Sequence, residues 1–77
     1  MLIAERLKEL RNIKNISQST LAKEIDVDTS SISYWESGKY EPKAKYIYKI
    51  ALYFKVSSDY LLGLSDNITN SPNNSQI

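Results

Sequence analysis

Apolar residues along this chain recur every three to four positions, and that spacing predicts helix almost throughout. Ile3, Leu7 and Leu10 fall at i, i+4 and i+7 with Glu5, Arg6, Lys8 and Glu9 between them, which makes one greasy stripe on a charged helix. The pattern stops around Asn12 to Asn15, where two asparagines favour a turn. Ser17 then stands where an N-cap belongs, ahead of Leu21, Ala22 and Ile25 at helical spacing. Asp26 and Val27 interrupt this second helix. Asp28 is the next candidate cap, and Ile32 and Trp35 anchor a short third helix that Gly38 is suited to end. Pro42 blocks continuation through the following loop and is suited to the first turn of a fourth helix. That helix carries Ala44, Ile47, Ile50, Ala51 and Phe54 at core spacing and is thickened by Tyr46, Tyr48 and Tyr53. Val56 and Ser57 break it, and Asp59 to Leu62 form a last short helix before Gly63. The expectation is an all-α, compact five-helix bundle over residues 1–64. Residues 65–77 are rich in Asn, Ser and Pro and are expected to be a flexible polar tail or linker.

Composition narrows the chemistry. At 77 residues the chain is one small domain, and without cysteine it has neither disulfides nor thiolate metal sites. Histidine is absent too, which removes the usual imidazole base and the commonest metal ligand. No apolar run approaches the roughly 20 residues of a membrane span, and no signal-peptide core is visible. The expectation is a cytoplasmic protein without cofactor or membrane partner. An enzyme is the weakest option, since catalysis without His or Cys needs a carboxylate pair or an activated Lys or Ser, and no such cluster is visible.

A net charge of +1 hides an uneven distribution. Residues 18–38 set Glu24, Asp26, Asp28 and Glu36 against Lys23 alone, whereas residues 39–55 set five lysines against Glu41. A basic segment beside an acidic one leaves a polyanionic partner possible, although a lysine-rich helix face is equally explained by solvation.

The second and third helices are joined by only a few residues, which forces a steep crossing. That is the helix-turn-helix unit, whose second helix can enter a DNA major groove. Ala22 is small where the helices approach, and Ile25, Val27, Ile32 and Trp35 can fill the space between them. The opposite face of the third helix offers Thr29, Ser30, Ser33 and Tyr34, polar and free of carboxylates, able to hydrogen-bond base edges without repelling phosphate.

Over roughly residues 3–63 the chain resembles a Cro/CI-type helix-turn-helix domain of the Xre family of prokaryotic and phage repressors. Six motifs in order carry the resemblance: RLKELR (Arg6–Arg11), SQxxLAKxI (Ser17–Ile25), SSISYWESGK (Ser30–Lys39), Pro42, IYKIA (Ile47–Ala51) and VSSDYLLG (Val56–Gly63). The resemblance implies a five-helix fold of the phage-repressor type. It also implies that Gln18 contacts a phosphate and braces the first base-reading residue, at a helix N-terminus already suited to anions. Thr29, Ser30 and Tyr34, with Ser33 beside them, take the base-reading positions. Ser37, Lys39 and Lys43 match the loop that grips the DNA backbone. Arg11 and Glu36 match an architectural ion pair, and Trp35 is expected in the core. Two departures stand out. Asp26 occupies a turn position usually held by glycine, where Asp tolerates left-handed backbone better than most residues. The third helix also lacks the Arg, Lys, Gln or Asn of many relatives, so phosphate contacts and DNA shape are expected to carry more of the specificity.

The function this implies is a sequence-specific, double-stranded-DNA-binding transcriptional regulator, a repressor acting as a homodimer on a palindromic operator. Leu61, Leu62 and Leu64 are candidates for the partner surface, or equally for closing the core. Of the tyrosines, Tyr46, Tyr53 and Tyr60 are expected to pack, while Tyr40 is placed to touch DNA backbone from its loop. The alternatives are an antitoxin-like regulator of its own operon and a helical protein-interaction module with weak or no DNA binding.

Overall fold

The computed structural model describes residues 2–67. Five helices follow in order: α1 (Leu2–Lys14), α2 (Gln18–Glu24), α3 (Thr29–Ser37), α4 (Ala44–Phe54) and α5 (Ser58–Leu62). No strand occurs among the described residues. Each helix is too short to be stable alone, so its existence depends on the apolar face it buries. Ile3, Leu7 and Leu10 of α1 meet Leu21 and Ala22 of α2, Ile32 and Trp35 of α3, Ile50 and Ala51 of α4, and Tyr60 and Leu61 of α5 in one core. Ile25 and Val56 fill the gaps at the helix ends.

Local signals set the boundaries. The Ser17 hydroxyl caps α2 by accepting from the Thr20 amide at 3.0 Å, and Ser57 does the same for α5 through the Tyr60 amide at 3.0 Å. Beyond each helix a residue turns left-handed: Asn15, Asp26, Gly38, Lys55 and Gly63, with φ between 59° and 83°. In every case the next amide reaches back across the end. Ile16 bonds to the Arg11 carbonyl, Val27 to Ala22, Lys39 to Tyr34, Val56 to Ala51 and Leu64 to Asp59. This is the Schellman closure, which satisfies carbonyls that the helix leaves open. Two of the five positions are glycine; the other three adopt the same turn with a side chain in place.

Several expectations are corrected. Pro42 is buried but lies before the Lys43 cap, outside the first turn of α4. Ala44, the first residue of α4, is exposed, while the helix buries Ile50 and Ala51 and packs Tyr46 and Ile47 partly against the core. Leu61 is fully buried and closes the core, so it is no partner surface; Leu62 is half-buried and Leu64 stands out in solvent. The three tyrosines expected to pack do so: Tyr60 is buried, and Tyr46 and Tyr53 are half-buried against the core.

The fold's two borders meet. A Cβ at Gly63 would lie 2.7 Å from the Leu2 Cδ1 atom. Arg6 stacks over the Tyr60 ring at 4.2 Å, donates to the Tyr60 and Ser65 carbonyls, and pairs with Asp66 at 2.9 Å. The first residues of the expected tail are thus tied to α1, while residues 68–77 lie outside the described part of the chain.

Candidate nucleic-acid interface

The geometry of α3 follows from what it buries. Ile32 and Trp35 point into the core, and the Trp35 ring lies 5.4 Å from that of Tyr46. With that side fixed, helical periodicity turns Thr29, Ser30, Ser33 and Tyr34 outward, and all four are exposed. The outer face carries three hydroxyls of Ser and Thr, one phenol and no carboxylate. At its start, Asp28 takes the extended cap conformation but its side chain makes no cap hydrogen bond.

The connection to α2 is tight. Asp26 is left-handed with φ 61°, its amide donating to Lys23 at 3.3 Å and the Val27 amide to Ala22 at 2.9 Å. Lys49 from α4 donates to the Ile25 carbonyl at 3.3 Å, placing a cation where the carbonyl end of α2 is negative.

Glu36, at the inner edge of α3, is held by three donors. Arg11 Nε reaches Oε2 at 2.7 Å, while Arg11 Nη2 and Gln18 Nε2 reach Oε1 at 3.0 and 3.1 Å. The remaining guanidinium nitrogen, Nη1, donates to the Ile16 carbonyl at 2.9 Å and so fastens the α1–α2 turn. Arg11's pKa is raised, first by its hydrogen bond to Glu36, with burial opposing and the opposite charge assisting. The guanidinium therefore holds its proton more tightly beside Glu36 than it would free in solvent. Gln18 thus braces Glu36 at the far end of α3.

The expected phosphate-gripping residues are scattered around this helix. Gln18 is half-buried at the start of α2 with one amide hydrogen committed to Glu36. The Ser37 hydroxyl is turned back to the Tyr34 carbonyl at 3.1 Å. Lys43 is exposed at the α4 cap. Lys39 leans its ammonium over the Tyr34 ring at 4.8 Å and the Tyr40 ring at 5.8 Å. The two tyrosine rings meet edge to face at 5.3 Å. Tyr40's contact with Tyr34 was invisible in the sequence, because no helical periodicity links a loop residue to the helix behind it. Among the described residues, no group of three or more His, Cys, Asp or Glu is placed to hold a metal, and no helix is long and apolar enough to cross a membrane.

A protein family described as helix-turn-helix matches residues 7–61. The chain belongs to this family. It is an all-α domain of the Cro/CI, phage-repressor type, and the family comprises DNA-binding transcription regulators rather than a class of enzymes. It is 40% identical over 65 residues to the HTH-type transcriptional activator BcrR of Enterococcus faecalis, a match covering 84% of this chain and 32% of that protein. The chain thus spans about a third of BcrR's length. It superimposes on the N-terminal DNA-binding domain of SinR from Bacillus subtilis with a TM-score of 0.74 at 31% identity, covering 79% of this chain and 90% of that one. The crystal structure of the P22 c2 repressor in complex with a synthetic operator gives a TM-score of 0.75 at 31% identity, covering 79% and 92%.

Proposed function

We propose that this domain binds double-stranded DNA sequence-specifically, with the outer face of α3 in the major groove, and that it acts as a transcriptional repressor. The observation that carries this is the sidedness of α3: Trp35 and Ile32 are locked in the core while Thr29, Ser30, Ser33 and Tyr34 stand in solvent. Hydroxyls both donate and accept, so they can meet several base edges, and the tyrosine ring can lie against a thymine methyl. Gln18, Ser37, Lys39 and Lys43 would contact phosphates and set the register of the helix. Glu36 does not oppose this role, because it is buried on the inner side of α3 and paired with Arg11.

A single recognition helix touches a short stretch of DNA, so tight binding requires two copies. A two-fold dimer would place the helices about 34 Å apart on half-sites of a palindromic operator. Leu64, 76% exposed and close to the half-buried Leu62, is the apolar surface we assign to that contact. The repressor reading is supported by the likeness to the P22 c2 repressor. It is also the simpler mechanism: an occupied operator excludes polymerase without any further surface.

The test is a titration of the domain against random and selected duplexes by fluorescence anisotropy between about 50 and 200 mM salt. Affinity is expected to fall steeply with salt and to differ widely between sequences. Gln18→Ala and Lys43→Ala are expected to weaken all duplexes alike, whereas Ser30→Ala is expected to change which duplexes are preferred. Salt-independent binding, or none, overturns the proposal.

A further inference from the structure

We infer that Tyr40, outside the outer face of α3, is a positioning residue for sequence readout: with Lys39 it holds the Tyr34 ring in one pose, so that base preference opposite Tyr34 belongs to the pair of rings. This rests on the DNA-reading role proposed above. Tyr34 lies one turn beyond Ser30 on the outer face and is 39% exposed. A solvent-exposed tyrosine ordinarily samples several rotamers, and immobilising it against a base would reduce affinity and blur discrimination.

The loop after α3 prevents that. Gly38 turns left-handed at φ 80°, and the chain doubles back so that the Lys39 and Tyr40 amides both reach the Tyr34 carbonyl, at 3.0 and 3.4 Å. The Ser37 hydroxyl reaches the same oxygen. This backbone anchor sets the start of both side chains, and they converge on the Tyr34 ring. Tyr40 meets it at 89° with centroids 5.3 Å apart, the edge-to-face arrangement in which a positive ring edge meets a negative ring face. The Lys39 ammonium lies 4.8 Å from the Tyr34 centroid. Tyr40 itself is 58% exposed and absent from the core, so contact with its neighbours, not burial, explains its placement. A ring held this way presents a fixed edge and hydroxyl to the groove. Lys39 keeps its charge beside the rings and can still meet a phosphate.

The experiment compares wild type with Tyr40→Ala, Tyr40→Phe, Tyr34→Ala and the Tyr34→Ala/Tyr40→Ala double variant. The probes are duplexes that the wild-type protein selects from a random pool, each base pair then changed in turn. Tyr40→Ala is expected to lose about three- to tenfold of discrimination at the same base pairs as Tyr34→Ala, with an unchanged salt slope. Tyr40→Phe, which keeps the ring, is expected to retain it, and the double variant to match Tyr34→Ala alone. In the free protein, NMR of the Tyr34 ring is expected to show one dominant rotamer that averages in Tyr40→Ala. The inference is overturned if Tyr40→Ala weakens all duplexes uniformly, leaves the preference unaltered, or leaves the Tyr34 ring as ordered as before. A wild-type protein that binds no duplex would overturn the DNA-reading role and the readout role with it. An averaged Tyr34 ring in a wild-type protein that does bind would overturn the positioning role alone.

Discussion

Replacing Arg11 by methionine removes two hydrogen bonds to Glu36 and one to the Ile16 carbonyl. It leaves the Glu36 side chain, only 3% exposed, with Gln18 as its remaining partner. Removing one member of a buried ion pair generally costs about 3–5 kcal/mol, because the other charge stays buried without compensation. A domain of this length is stabilised by roughly 4–12 kcal/mol in total. Arg11→Met should therefore remove about a quarter or more of the stability and lower Tm by at least about 12 °C. Glu36→Leu should be costly for the mirror-image reason, since Arg11 is itself largely buried at 14% exposure. The double variant Arg11→Met/Glu36→Leu separates the pair's charge from its shape. Apolar residues of similar volume can replace a buried pair at little cost, so the double variant should be more stable than Arg11→Met alone. Urea and thermal unfolding at neutral pH, followed by circular dichroism, measure all four proteins. Two single variants that each lose under about 1 kcal/mol, with additive effects, would show that the pair behaves as an exposed surface bridge and would refute this reasoning.

Gly38→Ala should lose about 1–2 kcal/mol in urea unfolding from backbone strain alone, because nothing lies within 4 Å of the added carbon. Lys55→Gly, at a left-handed position with φ 59°, should raise Tm by a few degrees; an unchanged or lower Tm would show that Lys55 bears no strain there. Leu64→Asp should halve the molecular mass seen by sedimentation equilibrium if Leu64 forms the dimer contact, while leaving the unfolding midpoint of the monomer in place. Tyr60's pKa is raised, first by burial and then by the nearby Glu9 carboxylate, against the opposing pull of Arg6. A phenol raised on folding contributes stability that is fully present below its unfolded value of about 10 and is lost as pH climbs through the higher folded value. Alkaline unfolding should therefore steepen above about pH 10, and Tyr60→Phe should flatten it.

Much of the fold was legible because helices announce themselves locally. The stripes of Ile3, Leu7 and Leu10 and of Leu21, Ala22 and Ile25, the caps at Ser17 and Asp28, and the stop at Gly38 all act within a few residues of themselves. The outward face of α3 was legible for the same reason, since placing Ile32 and Trp35 inside leaves only one direction for Thr29, Ser30, Ser33 and Tyr34. What escaped depends on contacts between distant segments. Ala44 fits the apolar spacing of α4 but lies past the point where that helix meets the core. Leu61, Leu62 and Leu64 read alike in sequence, yet α5 buries only the first completely. Gln18 goes to Glu36 across α3, and Tyr40 to Tyr34 across a loop, neither of which any periodicity encodes. Lys55 gives no compositional sign of left-handed backbone, because the closing bond from Val56 to Ala51 imposes that geometry on whatever residue is there.

The contact of Leu2 with Gly63, with the Arg6 clasp beside it, bears on how the bundle can be rewired. With entrance and exit side by side, a short bridge could join them and new ends be opened in the α3–α4 connection. Such a circularly rearranged chain should assemble the same five rods, since none of the helix-end closures would be severed except the one that follows α3.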